Sequence, residues 1–225
     1  MRFGAIQYLN LLPFYVFMKQ NLRTNSSKKL LFYKRGVPSK INSIYKKKKV
    51  DCAFISSIRS QNENCSNLGI VARKEVLSVI SIRGQEIQDI ESETSNNLAN
   101  VLNIKGKVLI GDKALKYWFD NNSTDSNIED LALTWQKRHH NLPFVFARLC
   151  FNREYNNFYK ILFRKFSNTK VRIPFYVLKQ KADKLGITTD ELKLYFTKIS
   201  YKIDKKASKS LKIFFREVDK KNKII

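Results

Sequence analysis

Short apolar runs that close on small polar residues recur along this chain, and they alternate with segments of helical spacing. Residues 50–55 (VDCAFI) have the pattern of a buried strand and end at Ser56-Ser57. Residues 2–6 form a short strand that leads into the turn Gln7-Tyr8-Leu9-Asn10. Residues 76–82 (VLSVISI) close on Arg83-Gly84, and residues 107–110 (KVLI) on Gly111-Asp112. Residues 30–33 and 143–152 (PFVFARLCFN) complete the expected strands. Helical spacing covers 11–19, 37–48, 94–102, 114–120 and 128–138. From Glu154 onward the pattern turns helical, over 154–166, 174–185, 189–199 and 207–220. Thr188 and Glu191 have capping-box spacing, and Gly186 would stop the preceding helix. This alternation predicts an α/β fold with a helical C-terminal section.

The 225 residues suit one large domain or two small ones. Sixteen Phe and ten Tyr supply a core and argue against a disordered chain. The net charge is +24, and a basic excess of that size raises the question of nucleic acid. Lysine is accompanied here by abundant Asn, Ile, Phe and Tyr, which an AT-rich genome would also produce. With no zinc-finger, RNP or helix-turn-helix signature, no nucleic-acid partner is expected. The excess is uneven: +12 over residues 1–82, −2 over 83–142 and +14 over 143–225. A near-neutral middle between basic ends suggests a chain that leaves one lobe, builds a second and returns.

No apolar run approaches the ~18–20 residues of a membrane span, so no membrane partner is expected. The first residues, broken by Gln7, Asn10 and Pro13, do not have the pattern of a signal peptide. Cys52, Cys65 and Cys150 are odd in number and form no C-x-x-C pair, which fits a reducing cytoplasm better than a disulfide framework. His139-His140 with scattered cysteines give little support for a metal site. These histidines follow Lys137-Arg138 and are expected to form a solvated helix end, while Trp118 and Trp135 belong to the core.

The strand ends carry the functional signal. In open α/β sheets, ligands bind beyond the carboxyl ends of strands. Asn10, Ser56, Ser57 and Asp112 sit at such ends, and Thr94 and Ser95 open a helix whose free N–H groups attract an anion. Taken singly, the serines are equally explained as turn residues, and Thr94 or Asp112 as helix caps. Together they suggest a cleft for a small polar anion. Nucleophile-elbow, phosphate-loop, dinucleotide-binding and zinc-protease motifs are absent.

In order along the chain, these residues resemble one family. Tyr8-Leu9-Asn10 with Leu12-Pro13, residues 50–57 (VDCAFISS), Ser78-Val79, Thr94-Ser95, residues 110–115 (IGDKAL), Leu131 with Trp135, and residues 142–147 (LPFVFA) are similar to the motifs of the chorismate dehydratases of the futalosine route to menaquinone. Residues 195–201 (YFTKISY) add a weaker likeness. Gln7, Asn97 and His140-Asn141 depart from the family pattern without touching its polar signature. Asn141 still permits a left-handed turn.

The resemblance implies a two-lobed fold of the periplasmic-binding-protein type II class, with a ligand cleft between lobes of residues 1–82 plus 143–225 and 83–142. It implies a cytoplasmic lyase that dehydrates chorismate and needs no cofactor or metal. Asn10, Ser56 and Asp112 are the expected catalytic residues. Tyr8, Ser57, Thr94 and Ser95 are the expected substrate-binding residues. A non-catalytic small-anion binding protein on the same fold is the alternative. The oligomeric state is not legible.

Overall fold

The apolar runs become strands of two separate sheets. The computed structural model describes residues 1–121, 127–155 and 157–223. Its elements in order are β1 (Phe3–Ile6), α1 (Leu12–Asn21), α2 (Asn25–Leu30), β2 (Lys34–Gly36), α3 (Pro38–Lys46), β3 (Cys52–Ser56) and β4 (Cys65–Ala72). There follow β5 (Val79–Ile82), α4 (Glu93–Leu102), β6 (Lys107–Ile110), α5 (Gly111–Asp120), β7 (Ile128–Asp130) and α6 (Leu131–Arg138). The chain ends with β8 (Phe144–Phe151), α7 (Asn157–Ser167), α8 (Phe175–Leu185), α9 (Thr189–Thr197), β9 (Ile199–Lys202) and α10 (Lys205–Asn222).

The larger sheet has the order β2-β1-β3-β8-β4-β9, and the smaller one β6-β5-β7. Strand β1 runs parallel to β2 and β3, whereas β8 runs antiparallel to β3 and β4. All five residues of β3 are buried, as its unbroken apolar pattern requires. Phe14, held on α1 between Phe54 and Phe166 at ring separations of 5.0 and 5.2 Å, centres the core beneath the large sheet. Pro13 lies in the first turn of α1, where no N–H is missed. At the other end, Trp135 of α6 is fully buried against Phe144 and Phe214 and donates to Ser210 Oγ at 2.8 Å.

Several expectations are revised. The strand expected at 30–33 is the end of α2 and a turn, and pairing begins at Lys34. The stretch 128–138 opens with three residues of strand, β7, before its helix. Strands β4 and β9 were not anticipated. Val79–Ile82, expected with the first lobe, lies at the centre of the smaller sheet between β6 and β7. Cys65 and Cys150 are joined in a disulfide, and Cys52 is free and buried. They stand directly opposite each other in the antiparallel pair β4–β8, although 85 residues separate them in sequence. Counting and spacing of cysteines cannot reveal such a partner. His139 is not a solvated cap: its ring lies 3.8 Å from that of Trp135, and its Nε2 faces Glu217 at 3.5 Å. Trp118 is only partly buried.

The chain passes between the sheets at 73–78 and returns at 139–143. Both passages use left-handed backbone at non-glycine residues, Leu77 (φ 63°) in the first and His140 and Asn141 (φ 51° and 62°) in the second. Such residues persist only where surrounding contacts fix them. Asp130 supplies those contacts for the first passage. One carboxylate oxygen accepts from the N–H groups of Val76 and Leu77 at 2.8 and 2.7 Å. The other caps α6 through Ala132 and Leu133 at 2.9 and 3.0 Å.

Candidate active site

A cleft opens where the two sheets meet, and polar residues from both sides line it. Tyr8 and Asn10 come from the turn after β1, Ser56 from the end of β3, and Ser78 from the approach to β5. Ser92 and Ser95 come from the N-terminus of α4, and Gly111 from that of α5. Ile6, Ile70, Val76, Val79, Ile110 and Phe146 form its apolar walls. No lysine or arginine is among the described residues that line it.

Of the expected site residues, four line the cleft. Asn10 carries a buried side-chain oxygen with no hydrogen-bond partner. In a protein interior such an atom awaits a donor. Ser56 is 5% exposed and is gripped by Asn42 of α3: the Asn42 amide donates to its Oγ at 2.9 Å, and its N–H donates back to the Asn42 oxygen at 3.1 Å. Ser95 forms a 2.8 Å hydroxyl pair with Ser92. Tyr8 donates its hydroxyl to the Glu91 carboxylate, and burial together with that acidic partner pushes its phenol well above the ordinary value.

The other three are turned to structural bonds. Ser57 Oγ donates to the Val145 carbonyl at 2.6 Å. Thr94 does not cap α4, a role that Ser92 fills by accepting from the Ser95 N–H at 3.1 Å. The Thr94 hydroxyl instead accepts the Ile58 N–H at 3.2 Å, tying the two sides of the cleft together. Asp112 is not the cap of α5, which begins at Gly111 after Ile110. Its carboxylate accepts the Leu9 N–H at 2.9 Å and so anchors the turn that presents Asn10.

Ser78, Ser92, Asn42 and Glu91 were missed as site residues. Ser78 accepts from the Tyr195 hydroxyl at 2.9 Å. A serine before a strand and an asparagine inside a basic helix carry no periodic signal, so only the fold brings them here. Glu91 and Asp89 both receive Lys113 of α5, at 3.3 and 2.7 Å, so Tyr8 is held by a charged cluster on the far side of the cleft. Gly111 has φ +63°, and a Cβ there would lie 2.6 Å from the Tyr8 ring. The bare backbone therefore lets Tyr8 and α5 approach.

Residues 88–220 match the family model described as menaquinone biosynthesis. A chorismate dehydratase of Campylobacter jejuni (subsp. jejuni serotype O:23/36, strain 81-176) is 39% identical over 221 residues, 96% of this chain and 96% of that protein. The chain belongs to the menaquinone-biosynthesis family. The fold extends more widely than the family. Protein AF1704 from Archaeoglobus fulgidus superposes with a TM-score of 0.64 at 11% identity, over 98% of this chain and 97% of that one. The Candida albicans CA3427 gene product, described as having the generic periplasmic binding protein fold, gives 0.50 at 10% identity, over 99% and 94%. The expected two-lobed class is therefore the one observed.

Proposed function

We propose that this chain is a chorismate dehydratase that forms 3-[(1-carboxyvinyl)oxy]benzoate in menaquinone biosynthesis. The observation that carries this reading is the 39% identity with a chorismate dehydratase across nearly the full length of both chains. The cleft agrees with it chemically. Chorismate is a dianion, and the site offers hydroxyl, amide and helix N-terminal donors between apolar walls.

Dehydration removes the ring C3 proton and the C4 hydroxyl, and the ring becomes aromatic. The thermodynamic drive lies in the substrate, so the protein's work is to hold it and assist departure of the hydroxyl. Ser95 and the start of α4 receive one carboxylate, and Ser56 receives the other or the departing oxygen. Asn10 orients the reacting centre, its unpartnered oxygen accepting a hydrogen bond from the C4 hydroxyl, which keeps its proton. Tyr8 closes the site while remaining protonated. Asp112 acts as a positioning residue for the Asn10 turn. A substrate carboxylate takes the C3 proton and passes it to the departing C4 hydroxyl, so the C3–H and C4–O bonds break, the ring gains a double bond, and water leaves with no net proton change.

This reading keeps the two lobes and moves β5 from the first to the second, because Val79–Ile82 pairs with β6 and β7. No helix among the described residues is long and apolar enough to cross a membrane. Incubation with chorismate, followed by mass spectrometry, tests the activity. Conversion is expected. Binding without conversion would instead make this a small-anion binding protein. Asn10→Ala and Ser56→Ala should each lower kcat/KM by roughly 100-fold, as loss of an oriented donor or acceptor does. Wild-type rates in both would remove these residues from the site.

A further inference from the structure

We propose that Asn42 and Tyr195 are positioning residues that compel Ser56 and Ser78 to act as hydrogen-bond donors into the cleft. The inference rests on the cleft being the chorismate site, and extends that reading to residues outside it.

A serine hydroxyl is ambivalent: it donates once and accepts twice. What it offers a ligand depends on what the protein has already taken. The two bonds between Asn42 and Ser56 fix the carboxamide's orientation. Because the Ser56 N–H must meet an oxygen, the end facing Ser56 Oγ is the amide NH2. Ser56 Oγ therefore accepts from Asn42, and its own proton remains unused. At Ser78 the partner is a phenol, a far stronger acid than an aliphatic alcohol, so Tyr195 donates and Ser78 accepts. Tyr195 is 1% exposed, and burial keeps its phenol protonated. Among the described residues, neither serine proton has an acceptor.

Ser56 and Ser78 are 5% and 2% exposed, and both line the cleft. A buried O–H without an acceptor is costly until a ligand supplies one. The Ser92–Ser95 pair adds a third donor by simple count. Two hydroxyls sharing one mutual bond have one proton left over, whichever way the bond runs. The cleft thus presents several O–H donors, each polarised from behind by a bond it accepts. Ser57, the neighbour of Ser56 in the same motif, is the contrast. Its proton is spent on the Val145 carbonyl, and it does not line the cleft. These serine donors select an acceptor-only ligand group, which is to say a carboxylate, while the Asn10 oxygen is the acceptor that the same lining keeps for a hydroxyl. The cleft achieves this without a lysine or arginine.

Asn42→Asp keeps the shape but replaces the amide donor with an acceptor, which would turn the Ser56 proton away from the substrate. The expected result is a roughly tenfold rise in KM for chorismate with a smaller change in kcat. In the Ser56→Ala background the same substitution should add less than twofold. A charge-repulsion or merely structural effect would persist in that background, and its persistence overturns the proposal, as does an unchanged KM in Asn42→Asp. Tyr195→Phe, which leaves the ring in place, should raise KM about threefold, and not at all in Ser78→Ala. Equal effects in both backgrounds count against it. Titration with isophthalate, a dianion that needs no chemistry, reads the same ratios as dissociation constants. If wild-type protein does not convert chorismate, the functional reading fails, and these ratios still decide the roles of Asn42 and Tyr195.

Discussion

Asp112 shows how one side chain can be read two ways until its partner is known. Its carboxyl is held above the ordinary aspartate range by burial, with the Leu9 N–H and then Lys181 and Lys184 pulling it back. A raised value means that the folded state favours the protonated acid more than the unfolded chain does. That contribution is present at pH below about 4 and is lost as pH rises through the raised value. Asp112→Asn removes the charge and retains an acceptor for Leu9. Its Tm relative to wild type should therefore improve as pH rises from about 4 towards 7. Turnover should stay within about tenfold of wild type, because the residue positions and does not transfer a proton. A loss of 1000-fold would make it the base. Asn10, Ser56, Ser95 and Tyr8 were legible in the sequence because each stands at a strand or helix end within a recognisable motif. Ser57 and Thr94 share those motifs but face the protein, and a motif does not record which way a side chain turns.

The elements themselves divide by pattern strength. β3 and β8 are long apolar runs, and they fold as expected. The helical C-terminal section and its capping box at Thr188 and Glu191 are likewise present, as is the left-handed Gly186 that ends α8. β4 carries Ser66, Asn67 and Gly69, and β9 has four residues next to a helix. Their strand character comes from pairing with β8 and with each other, which is tertiary and leaves little trace in local spacing. β7, three residues paired with β5, leaves equally little trace. Asp130, at the end of β7, holds α6 and the Val76-Leu77 passage with one carboxylate. Asp130→Ala should cost about 3 kcal/mol by urea unfolding at neutral pH, since it unpairs buried N–H groups as well as a helix cap. Burial pushes its carboxyl up to about 6. Its protonated form therefore adds stability at low pH that disappears as pH rises from about 4 to about 6, and Asp130→Asn should flatten that part of the stability profile.

At the scale of the molecule, the +24 charge and the cleft are separate matters. The charge lies in the terminal segments and the lining carries no cation, so specificity rests on neutral donors at short range. Long-range attraction of a dianion is screened over about 8–10 Å at cellular salt. Raising salt from 10 to 200 mM should lower kcat/KM several-fold and leave kcat unchanged. A salt effect on kcat would place a charged group in the chemistry.

Tyr8 lies over residue 111 where the two sides of the cleft meet, and that position has room for a hydrogen atom alone. A methyl group there would act as a doorstop. Gly111→Ala would strain the left-handed backbone and wedge the lobes apart, parting the Tyr8–Glu91 and Leu9–Asp112 fastenings together. Small-angle scattering of such a variant should show a larger radius than wild type, with turnover lost and dianion binding weakened less. The same hydrogen atom would then be the reason that the jaws of this protein can shut.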